Sequence, residues 1–257
     1  MAFMMMVDNT TISDELVREM VQNGVVIGHK KSKTHPKMKP FIAGNRNELE
    51  IMNPASAWNS LEAALEFLKD TVLKGGLVLF VATAPSSKKI IREAAQEFGY
   101  PFVDTRWLGG TLTNFTMLRT RVSYFEKLKE RKEKGEFAKY SKKEQLNLDK
   151  ETEKLSRRLS GLVLMKKLPD AVFVVDAEAH ATAVKEANLL NIPVAAIVDT
   201  NDNPSLVSYP IFGNDHSRQS VEWIMGRVKD AMRQASVKAA EARAAKEESA
   251  AAGVKQE

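Results

Sequence analysis

Residues 168–202 decide the fold. Leu168-Pro169-Asp170 leads into Ala171-Val172-Phe173-Val174-Val175-Asp176, and further on Ile192-Pro193 leads into Val194-Ala195-Ala196-Ile197-Val198-Asp199. Each five-residue core is apolar throughout, with no period-two alternation, which is the pattern of a strand buried on both faces. The interval from about His180 to Leu190 has helical spacing. A strand, a single helix and a second strand form a βαβ unit, and such units imply a parallel sheet.

The same rhythm extends outward. Gly75-Gly76 precedes a further apolar run, Leu77 to Val81. A helix is expected from about Ser87 to Phe98, ended by Gly99, then a short strand at Tyr100 to Val103. A last strand is expected at Leu206 to Ile211, and a helix from Ser217 through Val221, Ile224, Met225, Val228 and Met232. Towards the N-terminus, Ser13-Asp14-Glu15 has the cap and first-turn acids of a helix stopping at Gly24. Lys39 to Ile42 and Leu49 to Met52 flank Gly44-Asn45-Arg46-Asn47, a turn signal, and predict a hairpin. Asn53-Pro54 is an N-cap and N1 pair. It opens a helix with Trp58, Leu61, Ala64, Leu65, Leu68 and Val72 on one side.

Between Thr111 and Leu168 the βα rhythm is interrupted. Phe115, Leu118, Val122, Phe125 and Leu128 recur at helical spacing up to Gly135. Ser141-Lys142-Lys143-Glu144 is a capping box for a second helix carrying Leu146, Leu148, Leu155, Leu159 and Leu162. The expected division is therefore a sheet domain built from residues 1–110 and 165–235, and an inserted antiparallel, coiled-coil-like helical hairpin at 111–164. Residues 236–257, rich in Ala, Glu and Lys with balanced charge, are expected to form a flexible tail.

Composition narrows the function. The 257 residues contain no cysteine, which excludes disulfides, thiolate metal sites and a cysteine nucleophile. No apolar run approaches the ~20 residues of a membrane-spanning helix. Met1 to Met6 is apolar but short and lacks a basic flank, so it does not read as a signal peptide and a cytoplasmic location is expected. The positive charge is segregated. Residues 29–39 hold five lysines and no acid, and residues 119–158 hold fourteen Lys or Arg against eight acids. Since the whole chain totals +5, the remainder carries a net charge of about −6. Cations gathered on an otherwise acidic chain suit a polyanion, whose neutralised phosphates release counterions. Aromatic content is low, and Trp58, Trp107, Phe115 and Phe125 fall at packing positions. The expected mode is therefore shape and phosphate recognition of folded RNA, without base stacking.

Other chemistries fit the sequence less well. Ala82-Thr83-Ala84-Pro85-Ser86-Ser87-Lys88-Lys89 follows the first long strand and matches no glycine-rich phosphate loop. Asp176, Asp199 and Asp215 lie just past strand ends, where an α/β enzyme could hold Mg²⁺, but Asp there also caps helices and makes turns. His29 and His35 stand six residues apart among lysines with no third ligand evident, so no metal is assigned. A partner-binding adaptor would need an apolar stripe on the hairpin, whose outer faces are dominated by Lys and Glu.

The string Arg106-Trp107-Leu108-Gly109-Gly110-Thr111-Leu112-Thr113-Asn114-Phe115 resembles the signature of the ribosomal protein two family of the bacterial small subunit. Supporting strings stand in that family's order: Gly28-His29 with Pro36-Lys37-Met38-Lys39-Pro40, Leu168-Pro169-Asp170, Val174-Val175-Asp176, Ile192-Pro193-Val194, Ala196 to Asn201, and Gly213-Asn214-Asp215. The resemblance spans about Ser13 to Met232. It departs at Val26-Ile27, His35, Ala82 to Pro85, Ala177 and His180. It implies a flavodoxin-like parallel sheet flanked by helices, with an inserted hairpin. It also implies a structural, non-catalytic protein that supports translation and needs no cofactor or small-molecule substrate. That protein binds 16S ribosomal RNA at the head–body junction, beside other small-subunit proteins, and helps hold the OB-repeat RNA-binding protein where one exists. Combined with the charge pattern, the expected RNA-binding residues are Lys30, Lys31, Lys33, Lys37, Lys39, Arg46, Arg106, Asn114, Arg119 and Arg121.

Overall fold

The computed structural model describes residues 12–253; the Met1–Met6 segment and the last four residues lie outside them. Five strands form a parallel sheet: β4 (Val78–Val81), β5 (Phe102–Val103), β6 (Ala171–Val175), β7 (Val194–Val198) and β8 (Tyr209–Phe212). Their spatial order is β5-β4-β6-β7-β8. In order of appearance that is 2-1-3-4-5, the flavodoxin-like arrangement. Every residue of β4, β6 and β7 is buried, as the unbroken apolar runs require.

Helices flank this sheet. They are α2 (Pro54–Leu73), α3 (Lys88–Phe98), α6 (Ala181–Leu189) and α7 (Arg218–Gly253). The α2 helix packs on α7 and β8, α3 on β4 and α7, and α6 on β7. Asn53 caps α2 through its Oδ1, which accepts from Ala55 N at 2.9 Å, and Gly99 ends α3 in the left-handed region at φ 68°. The short α1 (Asp14–Gln22), capped by Ser13, joins α2 and α7 through one cation. Arg227 lies with its guanidinium carbon 3.5 Å from the Trp223 ring centre and 5.8 Å from that of Trp58, and it bonds Glu19 at 2.8 Å.

Residues expected to form a basic loop and a hairpin form a second, three-stranded antiparallel sheet in the order β1-β3-β2. Its strands are β1 (Ile27–Lys30), β2 (Ile42–Arg46) and β3 (Leu49–Met52). His29 and Lys30 are thus strand residues. Residues Lys31–Lys33 and Pro36–Phe41 are short 3-10 turns. The hairpin turn also sits later than expected. Asn47 and Glu48 both take positive φ, a two-residue turn whose twist matches the strands, so Gly44 to Arg46 pair as strand.

The helical hairpin is formed by α4 (Phe115–Glu133) and α5 (Lys142–Leu159). The Lys132–Asp149 ion pair and the Tyr124–Glu151 hydrogen bond run in antiparallel register. The Ser141–Glu144 capping box is present. Leu118, Val122 and Phe125 join the main core together with Leu159 and Leu162. Leu146 is instead exposed. Two positions before Leu148 it faces the opposite side of the helix, so the inward stripe runs through Leu148, Thr152, Leu155 and Leu159. The Ala/Glu/Lys stretch expected to be a tail is helical as far as Gly253. Ala, Glu and Lys are strong helix formers, and that propensity continues α7 where packing residues run out.

The connection between β5 and α4 is organised by a single carboxylate. Glu186 on α6 is buried and accepts five hydrogen bonds. They come from Trp107 Nε1 (3.0 Å), Gly110 N (2.8 Å), Leu112 N (3.0 Å), Thr113 N (3.2 Å) and Thr113 Oγ1 (3.2 Å). Neither Thr111 nor Thr113 caps α4. Thr111 donates to Leu108 O at 2.5 Å, and Thr113 is spent on Glu186. Burial works against the Glu186 charge, but the Trp107 indole and the backbone N–H groups outweigh it and leave the pKa lowered. A lowered carboxylate pKa contributes stability above the unfolded value, lost as pH falls through the folded one. Glu186→Gln, which replaces one acceptor by a donor, is expected to cost about 2–4 kcal/mol at pH 7. Urea unfolding at pH 7 and at successively lower pH should show the difference shrinking below the ordinary glutamate pKa of 4.5.

Candidate nucleic-acid interface

Of the cations expected to bind RNA, Lys31, Lys33, Lys37, Lys39, Arg46, Arg106 and Arg121 are exposed and have no ion-pair partner among the described residues. Lys30 is exposed too, and its Nζ lies 3.4 Å from Glu48 Oε2, a solvated pair of small energetic weight. The strand and the two turns spread these lysines along one continuous segment. The turn at 36–41 is anchored by Met38, which is fully buried, and by His35, whose Nδ1 accepts from Lys37 N at 3.2 Å. The segment is therefore held at its apolar residues and free at its charged ones.

The other sites are less uniform. Arg119 is half-buried and donates to Met165 O at 3.4 Å, so it also serves the root of the hairpin. Asn114 is exposed and stands at the N-cap of α4, without a side-chain cap bond. Many hairpin cations are already neutralised. Lys129, Arg131, Lys132, Lys134 and Arg157 each face an acid of the hairpin itself. The unpaired charge is thus denser in residues 30–46 than composition alone implied. At the start of α3, Ser87 is buried and its hydroxyl donates to Ala84 O at 3.4 Å.

The lysine segment is tied to the C-terminal rim of the parallel sheet by Thr200. His29 N donates to Thr200 Oγ1 at 2.8 Å, and His35 N donates to Thr200 O at 2.8 Å. Asn214 holds the same strand, its Nδ2 donating to Ile27 O at 2.7 Å. Gly28 is what permits the approach. A Cβ there would stand 2.4 Å from Thr200 Cγ2 and 2.7 Å from Thr200 Oγ1.

The three acids singled out in the sequence converge on this rim; Asp176 lines an open cleft of about 500 Å³ with His29, Lys33, Glu178, Asn201 and His216, whereas Asp199 and Asp215 are buried. For two of these acids part of the role is local. Asp176 Oδ1 accepts from Ala179 N at 2.7 Å, and Asp199 Oδ1 accepts from Thr200 N at 2.5 Å. Asp202, in the turn after β7, is buried among them, its Oδ2 accepting from Asp199 N at 2.8 Å. Burial, reinforced by the neighbouring carboxylates, pushes Asp215 up to about 9 and Asp202 up to about 7. The Asp199 carboxylate, 3.1 Å from His29 Nδ1, raises the His29 pKa against the opposing effect of burial. His180, with Nε2 3.0 Å from Thr83 Oγ1 and Nδ1 2.9 Å from Asp176 O, is a satisfied interior group.

Gly28→Ala should lower stability by about 1–3 kcal/mol through overpacking against Thr200. Adding Thr200→Ala should recover part of the loss, which thermal unfolding of the single and double variants will measure.

The chain has clear relatives. A family model described as Ribosomal protein S2 matches residues 20–235. The small ribosomal subunit protein uS2 of Dictyoglomus thermophilum is 42% identical over 217 residues, covering 84% of this chain and 88% of the relative. Proteins of the same name from Thermus thermophilus and a Roseiflexus species are each 41% identical. They cover 85% and 84% of this chain, and 86% and 82% of the relatives.

Proposed function

The chain belongs to the ribosomal protein S2 family, and from that membership we propose that it docks on folded 16S ribosomal RNA through the lysine segment of its N-terminal sheet. Its general role follows from the family. It is a structural, non-enzymatic protein of the small ribosomal subunit in the cytoplasm, and its partners are ribosomal RNA and other ribosomal proteins. Among the described residues, no helix is long and apolar enough to cross a membrane.

The observation that carries the RNA reading is the set of exposed, unpaired cations Lys31, Lys33, Lys37, Lys39 and Arg46 on a backbone anchored by Met38 and Thr200. A rigid backbone with free ammonium groups suits phosphate contacts, which fix register without reading bases. Arg106, Asn114 and Arg121 lie around the start of the hairpin and in this reading supply a second group of contacts, with Lys30 and Arg119 as further contributors. In this reading residues 1–110 and 165–235 are the docking body and residues 111–164 are an arm. The seat is the junction of head and body, and the OB-repeat RNA-binding protein is a neighbour where the organism has one.

Two measurements test it. A tagged copy should co-sediment with small subunits at low salt and dissociate at high salt; a copy that remains in the soluble fraction at low salt and high Mg²⁺ refutes the assignment. Lys37→Ala with Lys39→Ala should flatten the slope of log affinity against log salt by roughly one to two units, because each phosphate contact contributes up to about 0.9. Lys238→Ala, on the distant α7 helix, should leave the slope unchanged. An unaltered slope for the double variant, with normal thermal stability, would transfer the RNA contact to the hairpin cations.

A further inference from the structure

One long side of the hairpin combines an open aromatic ring with uncompensated cations. Tyr124 on α4 is 47% exposed, and its hydroxyl donates to Glu151 Oε1 on α5 at 3.2 Å. That bond is a rung between two antiparallel helices, so it fixes the register of its neighbours. One turn towards the root on each helix, Arg121 stands across from Lys154, and after a further turn Met117 stands across from Arg158. Arg121, Lys154 and Arg158 are exposed and have no ion-pair partner among the described residues. Met117 is 52% exposed.

The acids of α5 are engaged elsewhere. Glu144 is bound to Ser141, Asp149 to Lys132 and Glu153 to Arg157, while Glu151 accepts from Tyr124. Two like charges therefore face each other across the hairpin at the Arg121–Lys154 rung, a repulsion that an anion seated between them would relieve. The Tyr124 rung lies about 4.5 Å further along, three residues at a rise of 1.5 Å each. The bond to Glu151 holds the Tyr124 ring in place, and no ring or cation stacks on its faces among the described residues. The other aromatic rings of the arm are occupied. Phe125 and Phe137 are buried, and Phe115 packs on the core. Tyr140 accepts a hydrogen bond from Arg131 at 2.7 Å, with the guanidinium carbon 5.9 Å from its ring centre.

We propose that this side of the arm is a seat for one unpaired nucleotide of folded RNA, its base stacked on Tyr124 and its phosphate held between Arg121 and Lys154. Arg158 and Met117 border the seat towards the root of the hairpin. The inference rests on the RNA reading above and adds to it a contact that is not purely ionic. A ring beside a pair of cations matches the two surfaces an extruded nucleotide presents, a π face and an anion. A protein partner fits less well, since one ring and one methionine fall far short of a stable protein interface, which buries about 1,000 Å² or more in total. Every base has a π face, so the seat tolerates sequence and selects for a base that stands outside its helix.

The test measures the affinity of the full-length chain for a 16S ribosomal RNA transcript across a salt series, with thermal unfolding of each variant as the check on folding. Tyr124→Leu and Tyr124→Ala should each weaken binding about 5- to 150-fold. Neither should change the slope of log affinity against log salt, because stacking releases no counterion. Tyr124→Phe, which keeps the ring, should stay close to the parent. Arg121→Ala with Lys154→Ala should flatten the slope by about 0.7–0.9, the value of one phosphate. Leu146→Ala, comparably exposed on the same arm, should change neither quantity. In assembled subunits, a benzophenone amino acid at position 124 should crosslink to RNA. The seat is overturned by unchanged affinity of a folded Tyr124→Leu variant, by a Tyr124→Phe variant as weak as Tyr124→Leu, or by an unaltered slope for the double cation variant. A crosslink to protein alone overturns the nucleotide as the ligand. In each of these cases the parent chain still binds the transcript and the RNA reading stands, whereas a parent that does not bind it removes both.

Discussion

One buried carboxylate fixes how the two parts of the molecule meet. Glu186 takes five hydrogen bonds from the turn spanning Trp107 to Thr113. That turn is where the chain leaves the parallel sheet and starts the helical hairpin. Without an acceptor, four backbone and side-chain N–H groups and a hydroxyl would be stranded at the edge of the core. With one, they form a cradle that costs little to bury. The direction of α4, the seating of Trp107 and the exposure of Arg106 all follow from it. The long signature string is thus mostly a receptor for one side chain about seventy residues away.

Much of the fold was legible because its elements are one-sided problems. The strands at Val78–Val81, Ala171–Val175 and Val194–Val198 are buried on both faces, and only an unbroken apolar run satisfies that. Capping chemistry marked Ser13, Asn53 and Ser141 for the same reason, since each reads from three or four adjacent residues. What stayed hidden was non-local. Strand β1 contains Gly28, His29 and Lys30 and has no strand-like composition. It exists because β3 offers an edge and because Gly28 lets Thr200 come close. Glu186 lies inside an ordinary amphipathic helix, and nothing in its neighbours announces five donors arriving from elsewhere.

The functional surface divides along the same line. Exposed lysines on a short anchored segment are readable from sequence, because a run of five with no acid has nowhere to go but solvent or a polyanion. That four of the five lack an ion pair is a property of the fold, and so is the internal neutralisation of the hairpin cations. The two histidines of the lysine run part ways in the fold: His35 turns to cap a 3-10 turn, and His29 meets His216, brought beside it by the loop after β8.

The Arg227 seam has a consequence for how this protein can be watched. The chain has three tryptophans. Trp58 and Trp223 flank the Arg227 guanidinium where α1, α2 and α7 meet, and Trp107 is bonded to Glu186 where the hairpin begins. Every indole therefore sits on a joint, against a charged group whose departure changes its emission. Intrinsic fluorescence divides into two gauges, one for the helical layer and one for the root of the arm. Replacing Trp107 by phenylalanine leaves the first gauge alone in the signal, so the order in which the two joints open can be read without any added label.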